Sequence, residues 1–331
     1  MSDVGAEILR VSLAVRPEAR RIVGVDAREV AFLRVVDEAT GRVGFGECAP
    51  LAGLHQESLD DAVEALEAWC DGACDIDELP PSAAFAASTA TEMLDGFGAK
   101  PCAAAKVAGF FAGSAAELVG DEVARLSGVR SLKLKIGRAS VAEDRALVVR
   151  ALELFPSARL RLDGNRRMVR ASCVELLRGI EPSRVEYLEE PVADPRELAA
   201  LSRETGMPVA LDELVADGSA EARALCVELA RSASVAAWVL RMSALGSLGS
   251  IRARAAEAAK LGVDVVLSTA YESSFSLRVA AHLAASVPNA RRAHGIGTAA
   301  LLSEDSCAPA LPVDGEIAGD ALPVPFAEAW S

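Results

Sequence analysis

From Pro101 onward the chain alternates short apolar runs with helix-length segments, and no other feature limits its fold as tightly. The apolar runs fall at 132–136, 160–163, 185–189, 209–212, 236–241 and 263–268. Segments with helical periodicity lie between or beside them at 142–154, 171–178, 196–205, 220–231 and 248–261. Strand, helix, strand at intervals of about 25–30 residues is the pattern of βαβ units and a parallel sheet. The units are numerous enough to close a (β/α) barrel, with a doubly wound open sheet as the alternative. No G-x-G-x-x-G or Walker motif stands in a strand-to-helix turn, which weighs against an open-sheet nucleotide binder.

The first of these runs is Ser131-Leu132-Lys133-Leu134-Lys135-Ile136-Gly137. On a strand, the two lysines share one face and the three aliphatics the other. A half-solvated strand gives the same alternation. If the aliphatic face packs on helices, two cations point into the sheet's interior and need anionic partners there. The ends of the later strands supply them. Arg161-Leu162-Asp163-Gly164-Asn165 is followed by Glu186-Tyr187-Leu188-Glu189-Glu190-Pro191, then Leu211-Asp212-Glu213, Val239-Leu240-Arg241 and Leu267-Ser268. In a barrel the C-terminal strand ends form one rim. Asp163, Glu189 and Asp212 then converge as three oxygen donors, a set that suits Mg²⁺, with Mn²⁺ as the alternative. Each acid taken alone reads better as a helix cap than as a ligand; three in register opposite Lys-x-Lys favour a metal site.

The N-terminal hundred residues read as an α+β module. Strands are expected at 8–15, 30–36 and 43–47, with a polar loop at 16–21 and an unusually apolar one at 46–55. Ser58-x-x-Asp61 predicts a capping box opening a helix through Trp69, and a second helix is expected over 81–94. The formal charge of −14 argues against a nucleic-acid partner, so an anionic substrate must be met by a local cluster of cations. Seven cysteines without a C-x-x-C pair suggest reduced thiols and a cytoplasmic protein. No run is long enough to span a bilayer, and residues 1–10 show no signal-peptide core.

Lys-x-Lys, LDGN, LEEP and LDE, in that order, resemble the enolase superfamily in its muconate-lactonizing-enzyme-like branch. GFGECAPLAGLHQES, STAYESSFSL and AHGIGTAALLSED resemble the o-succinylbenzoate synthases within that branch. The resemblance implies an α/β fold: a modified (β/α)8-type barrel over 103–299, and a capping domain over 1–102 on which 300–331 packs back. It implies Mg²⁺ held by Asp163, Glu189 and Asp212, with Asn165, Glu190 and Glu213 close to the metal. Lys135 becomes the base and Lys133 the cation that depresses its pKa. The implied reaction is a syn dehydration of a small dicarboxylate.

Arg241 departs from the family pattern, which places a lysine at this strand end. Arginine is a poor base. Racemases and epimerases of the branch need a base on each face of the substrate, whereas elimination needs one, so Arg241 favours dehydration and serves as a fixed positive charge. The rival readings are an N-succinylamino acid racemase, a dipeptide epimerase, or a divergent non-catalytic member. Arg161 is a candidate for the succinyl side or for pairing with barrel carboxylates. Ser268, Ser273 and Ser274 are candidates for binding a carboxylate or for turn chemistry. The loops at 16–21 and 46–55 are expected to cover the site. His55, His282 and His294 receive no ligand role, and the oligomeric state is left open.

Overall fold

The computed structural model describes residues 4–232 and 234–330. The outermost ends of the expected capping unit, at 1–3 and 331, lie outside the described residues. Strands β1 (Val4–Ala14), β2 (Ala27–Asp37) and β3 (Arg42–Cys48) form an antiparallel sheet in chain order. The expected capping box is present: Asp61 N donates to Ser58 Oγ at 3.1 Å and Ser58 N to Asp61 Oδ2 at 3.0 Å. The helix Leu59–Cys70 that it opens buries Ala62, Val63, Leu66 and Trp69 against Ala31, Leu33 and Val35 of β2. The second helix, Pro81–Leu94, lies directly on β3. Glycine is required there, because a Cβ at Gly44 or Gly46 would collide with the backbone carbonyl of Ala90 or Ala86.

A short strand β4 (Ala105–Lys106) leads to seven parallel strands. They are β5 (Gly109–Phe111), β6 (Ser131–Lys135), β7 (Arg159–Asp163), β8 (Val185–Glu189), β9 (Val209–Leu211), β10 (Val235–Arg241) and β11 (Asp264–Ser268), each paired with the next. The eighth position is an irregular segment that joins the two edges. His294 N donates to Lys106 O and Ala108 N to His294 O, while Gly295 N donates to Leu267 O and Thr269 N to Gly295 O. The chain is therefore a (β/α)8-type barrel with an N-terminal antiparallel capping domain, and the open-sheet alternative is excluded. Residues 316–317 form a last strand, β12 (Glu316–Ile317), on β4. Beyond it Phe326 meets Phe32 edge-on at 5.3 Å and Trp330 lies 5.8 Å from Phe45, so the tail touches the capping sheet.

The barrel has two cores. Leu132, Leu134, Leu160 and Leu162 point outward and are fully buried under the surrounding helices. Tyr187, Ala210, Ala237, Val239 and Val266 form a separate cluster inside. The half-solvated reading of the lysine strand is thereby overturned: both of its faces are covered. Several elements escape the sequence patterns, a long helix and a barrel strand among them. Helix Ser274–Ser286 is buried on nearly every side along most of its length, Ser274, Ser276 and His282 included, so its polar residues do not mark a solvent face, and β5 is only three residues long. Among the described residues no helix is long and apolar enough to cross a membrane.

Candidate active site

The register of the parallel ladder sorts the inward side chains into layers. Lys133 pairs with Arg161 and Arg161 with Tyr187; one layer higher, Lys135 pairs with Asp163 and Asp163 with Glu189. Glu189 pairs with Ala210, and Asp212 follows two residues later with the same orientation. Asp163, Glu189 and Asp212 are all 1% exposed or less. Lys133 Nζ lies 2.7 Å from both Asp163 Oδ2 and Glu189 Oε1. Lys135 Nζ lies 2.5 Å from Asp163 Oδ2 and donates to Asn165 Oδ1 at 2.6 Å. Across the rim Arg241 Nε donates to Asp212 Oδ1 at 2.7 Å, and a second guanidinium nitrogen binds Oδ2. Three carboxylates thus face three cations, which offsets the desolvation of each.

The two lysines titrate in opposite directions. Burial disfavours the charge on both. At Lys133 the attraction of Asp163 and Glu189 outweighs burial and raises the pKa. At Lys135 burial, reinforced by the Lys133 charge, outweighs Asp163 and lowers it. Asp163 is held low despite burial by both ammonium groups, and Asp212 is held low despite burial by Arg241. Glu189 is raised by burial and by its neighbour Asp163. The Arg241 guanidinium, buried but locked to Asp212, is raised well above its usual value.

Lys133, Lys135, Glu189 and Arg241 border a cavity whose lining also includes Ser268 and Tyr271. A larger space adjoins it, sharing Phe110 and Gly297, and its wall includes Arg16, Glu18 and Arg21. The expected loop at 16–21 is instead a 3-10 turn (Pro17–Ala19) running into a short helix (Arg20–Val23), and side chains from it line this adjoining space. The loop at 46–55 lines neither space, because buried Arg28 ties the Ala49 and Pro50 carbonyls down.

Other expected residues serve the frame. Glu190 accepts from the backbone N–H groups of Asp212 (2.8 Å) and Leu214 (2.9 Å) and from Arg166, which fixes the third carboxylate's backbone. Asn165 donates to Glu213 Oε1 at 3.0 Å, leaving Glu213 Oε2 buried without a partner among the described residues. Arg161 is 1% exposed and bound to both oxygens of Glu186 and to the Ala293 carbonyl. It reaches the cavity floor, but its charge is spent on a barrel carboxylate. Ser273 faces Glu47 and Ser274 faces Asp305, so neither borders the cavity. His294 closes the barrel by accepting from Leu267 N; burial, with Arg161 nearby, pushes it down to about 4. Tyr187 and Tyr271 were absent from the expected set. The inward parity of Tyr187 with Glu189 would have revealed the first, whereas no pattern marks the second.

The donor set suits a hard divalent cation: all oxygen, anionic, and with one ammonium already shared between Asp163 and Glu189. Among the described residues no three His, Cys, Asp or Glu side chains are gathered to hold a metal ion. The third carboxylate, Asp212, is engaged by Arg241 instead.

Residues 116–320 match the family described as Enolase C-terminal domain-like, and residues 22–94 match MenC, N-terminal domain. The o-succinylbenzoate synthase of Proteus mirabilis (strain HI4320) is 32% identical over 254 residues, covering 75% of this chain and 76% of that one. Its counterpart in Klebsiella pneumoniae (strain 342) is 31% identical over 284 residues, covering 83% and 84%. Among solved structures, the L-Ala-D/L-Glu epimerase from Bacillus subtilis aligns with a TM-score of 0.78 at 20% identity, over 98% of this chain and 97% of that one. The muconate lactonizing enzyme from Klebsiella pneumoniae aligns with a TM-score of 0.75 at 21% identity, over 95% and 92%. Likeness at that identity concerns the fold alone.

Proposed function

The chain belongs to the enolase superfamily, among its hydro-lyases, and from that premise we propose that it dehydrates 2-succinyl-6-hydroxy-2,4-cyclohexadiene-1-carboxylate to o-succinylbenzoate, a step of menaquinone biosynthesis. Relatives that share about three quarters of their length with this chain carry that activity in their names. The observation that carries the reading is the asymmetry of the cavity. One lysine with a lowered pKa, Lys135, stands on β6, and a permanently charged arginine stands across the rim on β10.

The proton next to a carboxylate is weakly acidic, and removing it puts a second negative charge on that group. Mg²⁺ held by Asp163, Glu189 and Asp212 would supply the positive charge that stabilises it. Lys135 in its neutral form takes the proton from the ring carbon. The electron pair left behind forms the new ring double bond as the neighbouring C–O bond breaks. The Lys135 ammonium returns the same proton to the departing hydroxyl, which leaves as water, and the lysine ends neutral. Lys133 remains protonated and supplies fixed charge, and Arg241 holds Asp212 without exchanging protons. Aromatisation drives the reaction. The seven unpaired cysteines support a cytoplasmic setting.

Purified protein with Mg²⁺ and the cyclohexadiene tests the reading. The expected result is the ultraviolet absorbance change of aromatisation, slowed by about 10²–10⁴-fold in Lys135→Ala. Absence of turnover by the wild-type protein overturns it.

A further inference from the structure

Tyr271 borders the reaction cavity, and the turn that carries it is held in an unfavourable shape. Its φ is +64°, a left-handed conformation that bulky side chains seldom adopt and that persists only where surroundings enforce it. Two buried glutamates do so here. Glu272, 1% exposed, accepts from the backbone N–H of Ala270 and from Ser243 Oγ, the latter at 2.6 Å. Glu47 on β3 of the capping domain, also 1% exposed, accepts from Ser273 N at 2.9 Å, Ser273 Oγ at 2.7 Å and Ser276 Oγ at 2.6 Å. The turn is fixed from both domains, and the phenol is presented to the cavity.

The cations that line that cavity are already engaged, and Arg138, whose charge reaches Tyr271, is not among its lining residues. Lys133 and Lys135 bind Asp163, Arg241 binds Asp212, and Arg161 binds Glu186. The Tyr271 hydroxyl has no hydrogen-bond partner among the described residues, and neither has that of Ser268 on the same wall. In an eight-position ring β11, which precedes this turn, stands opposite β7, which carries Asp163. A dicarboxylate whose reacting end faces Lys135 therefore extends its other end toward the turn after β11.

We infer that Tyr271 is a specificity-determining residue whose hydroxyl donates a hydrogen bond to the distal carboxylate of the succinyl side chain, next to Ser268. The inference rests on the dicarboxylate substrate proposed above. Recognition by neutral hydroxyls holds that carboxylate without adding a mobile cation near the reacting centre.

Calorimetric titration of Mg²⁺-loaded wild-type and Tyr271→Phe protein with two ligands tests this. One ligand is o-succinylbenzoate, and the other is 2-butyrylbenzoate, which keeps the ring carboxylate and ketone but has a methyl in place of the distal carboxylate. Loss of a hydrogen bond to a charged group predicts about ten- to a hundredfold weaker binding of o-succinylbenzoate and a change within about twofold for 2-butyrylbenzoate. The phenyl ring is retained, so the melting temperature should match wild type. Equal weakening of both ligands, or of neither, overturns the inference while leaving the proposed reaction intact. Wild-type protein that neither turns over the cyclohexadiene nor binds o-succinylbenzoate overturns the reaction and the inference together.

Discussion

Two strands on opposite sides of the cavity, β6 and β10, aim cations at different carboxylates, Asp163 and Glu189 from one side and Asp212 from the other, and the cations differ in what they can do. On β6, burial and the neighbouring Lys133 charge bring Lys135 toward neutrality. On β10, Arg241 grips both oxygens of Asp212 and is driven further into its charged form. The two sides thus differ in chemistry: in the reaction proposed above, one side exchanges protons and the other holds position. A reaction that takes and returns a proton on one face is served by this arrangement. A reaction that needs bases on both faces is not.

The largest effect expected from breaking the comparison is at Lys135. Lys135→Ala should lower kcat by about 10²–10⁴-fold, the usual contribution of a general base, with circular dichroism unchanged. Lys133→Met sharpens it through pH. A base works when deprotonated, so the rate rises as pH climbs through the lowered Lys135 pKa. Removing the like charge lets that pKa rise, and the acid limb of kcat/KM should move alkaline by about one pH unit. An unmoved limb would mean that Lys133 does not depress its neighbour. The mildest effect on dehydration is expected of Arg241→Lys, which keeps a positive charge beside Asp212 but loses the two-pronged grip and should lower turnover by about tenfold. The same variant should gain inversion of N-succinylamino acids, measured by chiral chromatography, since a titratable amine then stands on each side.

The barrel and its rim could be read from the sequence because both depend on a period of two. Lys133, Lys135, Asp163 and Glu189 sit at fixed parity on strands whose other face is leucine, so placing the strands placed the charges. What escaped was set by contacts between distant segments. Which of its two expected roles Arg161 takes is decided by its bond to Glu186, and the hydroxyl of Ser273, at the start of the helix after β11, goes to Glu47, 226 residues away. The loop at 46–55 has the apolar character of a lid, yet Arg28 fastens it away from the cavity. Tyr271 enters the site through a left-handed turn that its own residue type disfavours, and only the buried Glu272 and Glu47 explain why it is there.

The claim of a base on one face only is tested most directly by incubating wild-type protein and Mg²⁺ with each enantiomer of an N-succinylamino acid in deuterated water. Exchange of the α-proton should occur only in the enantiomer whose C–H bond faces Lys135, and with retention of configuration. Rapid exchange accompanied by inversion would contradict it and make Arg241, or another group on β10, a working base.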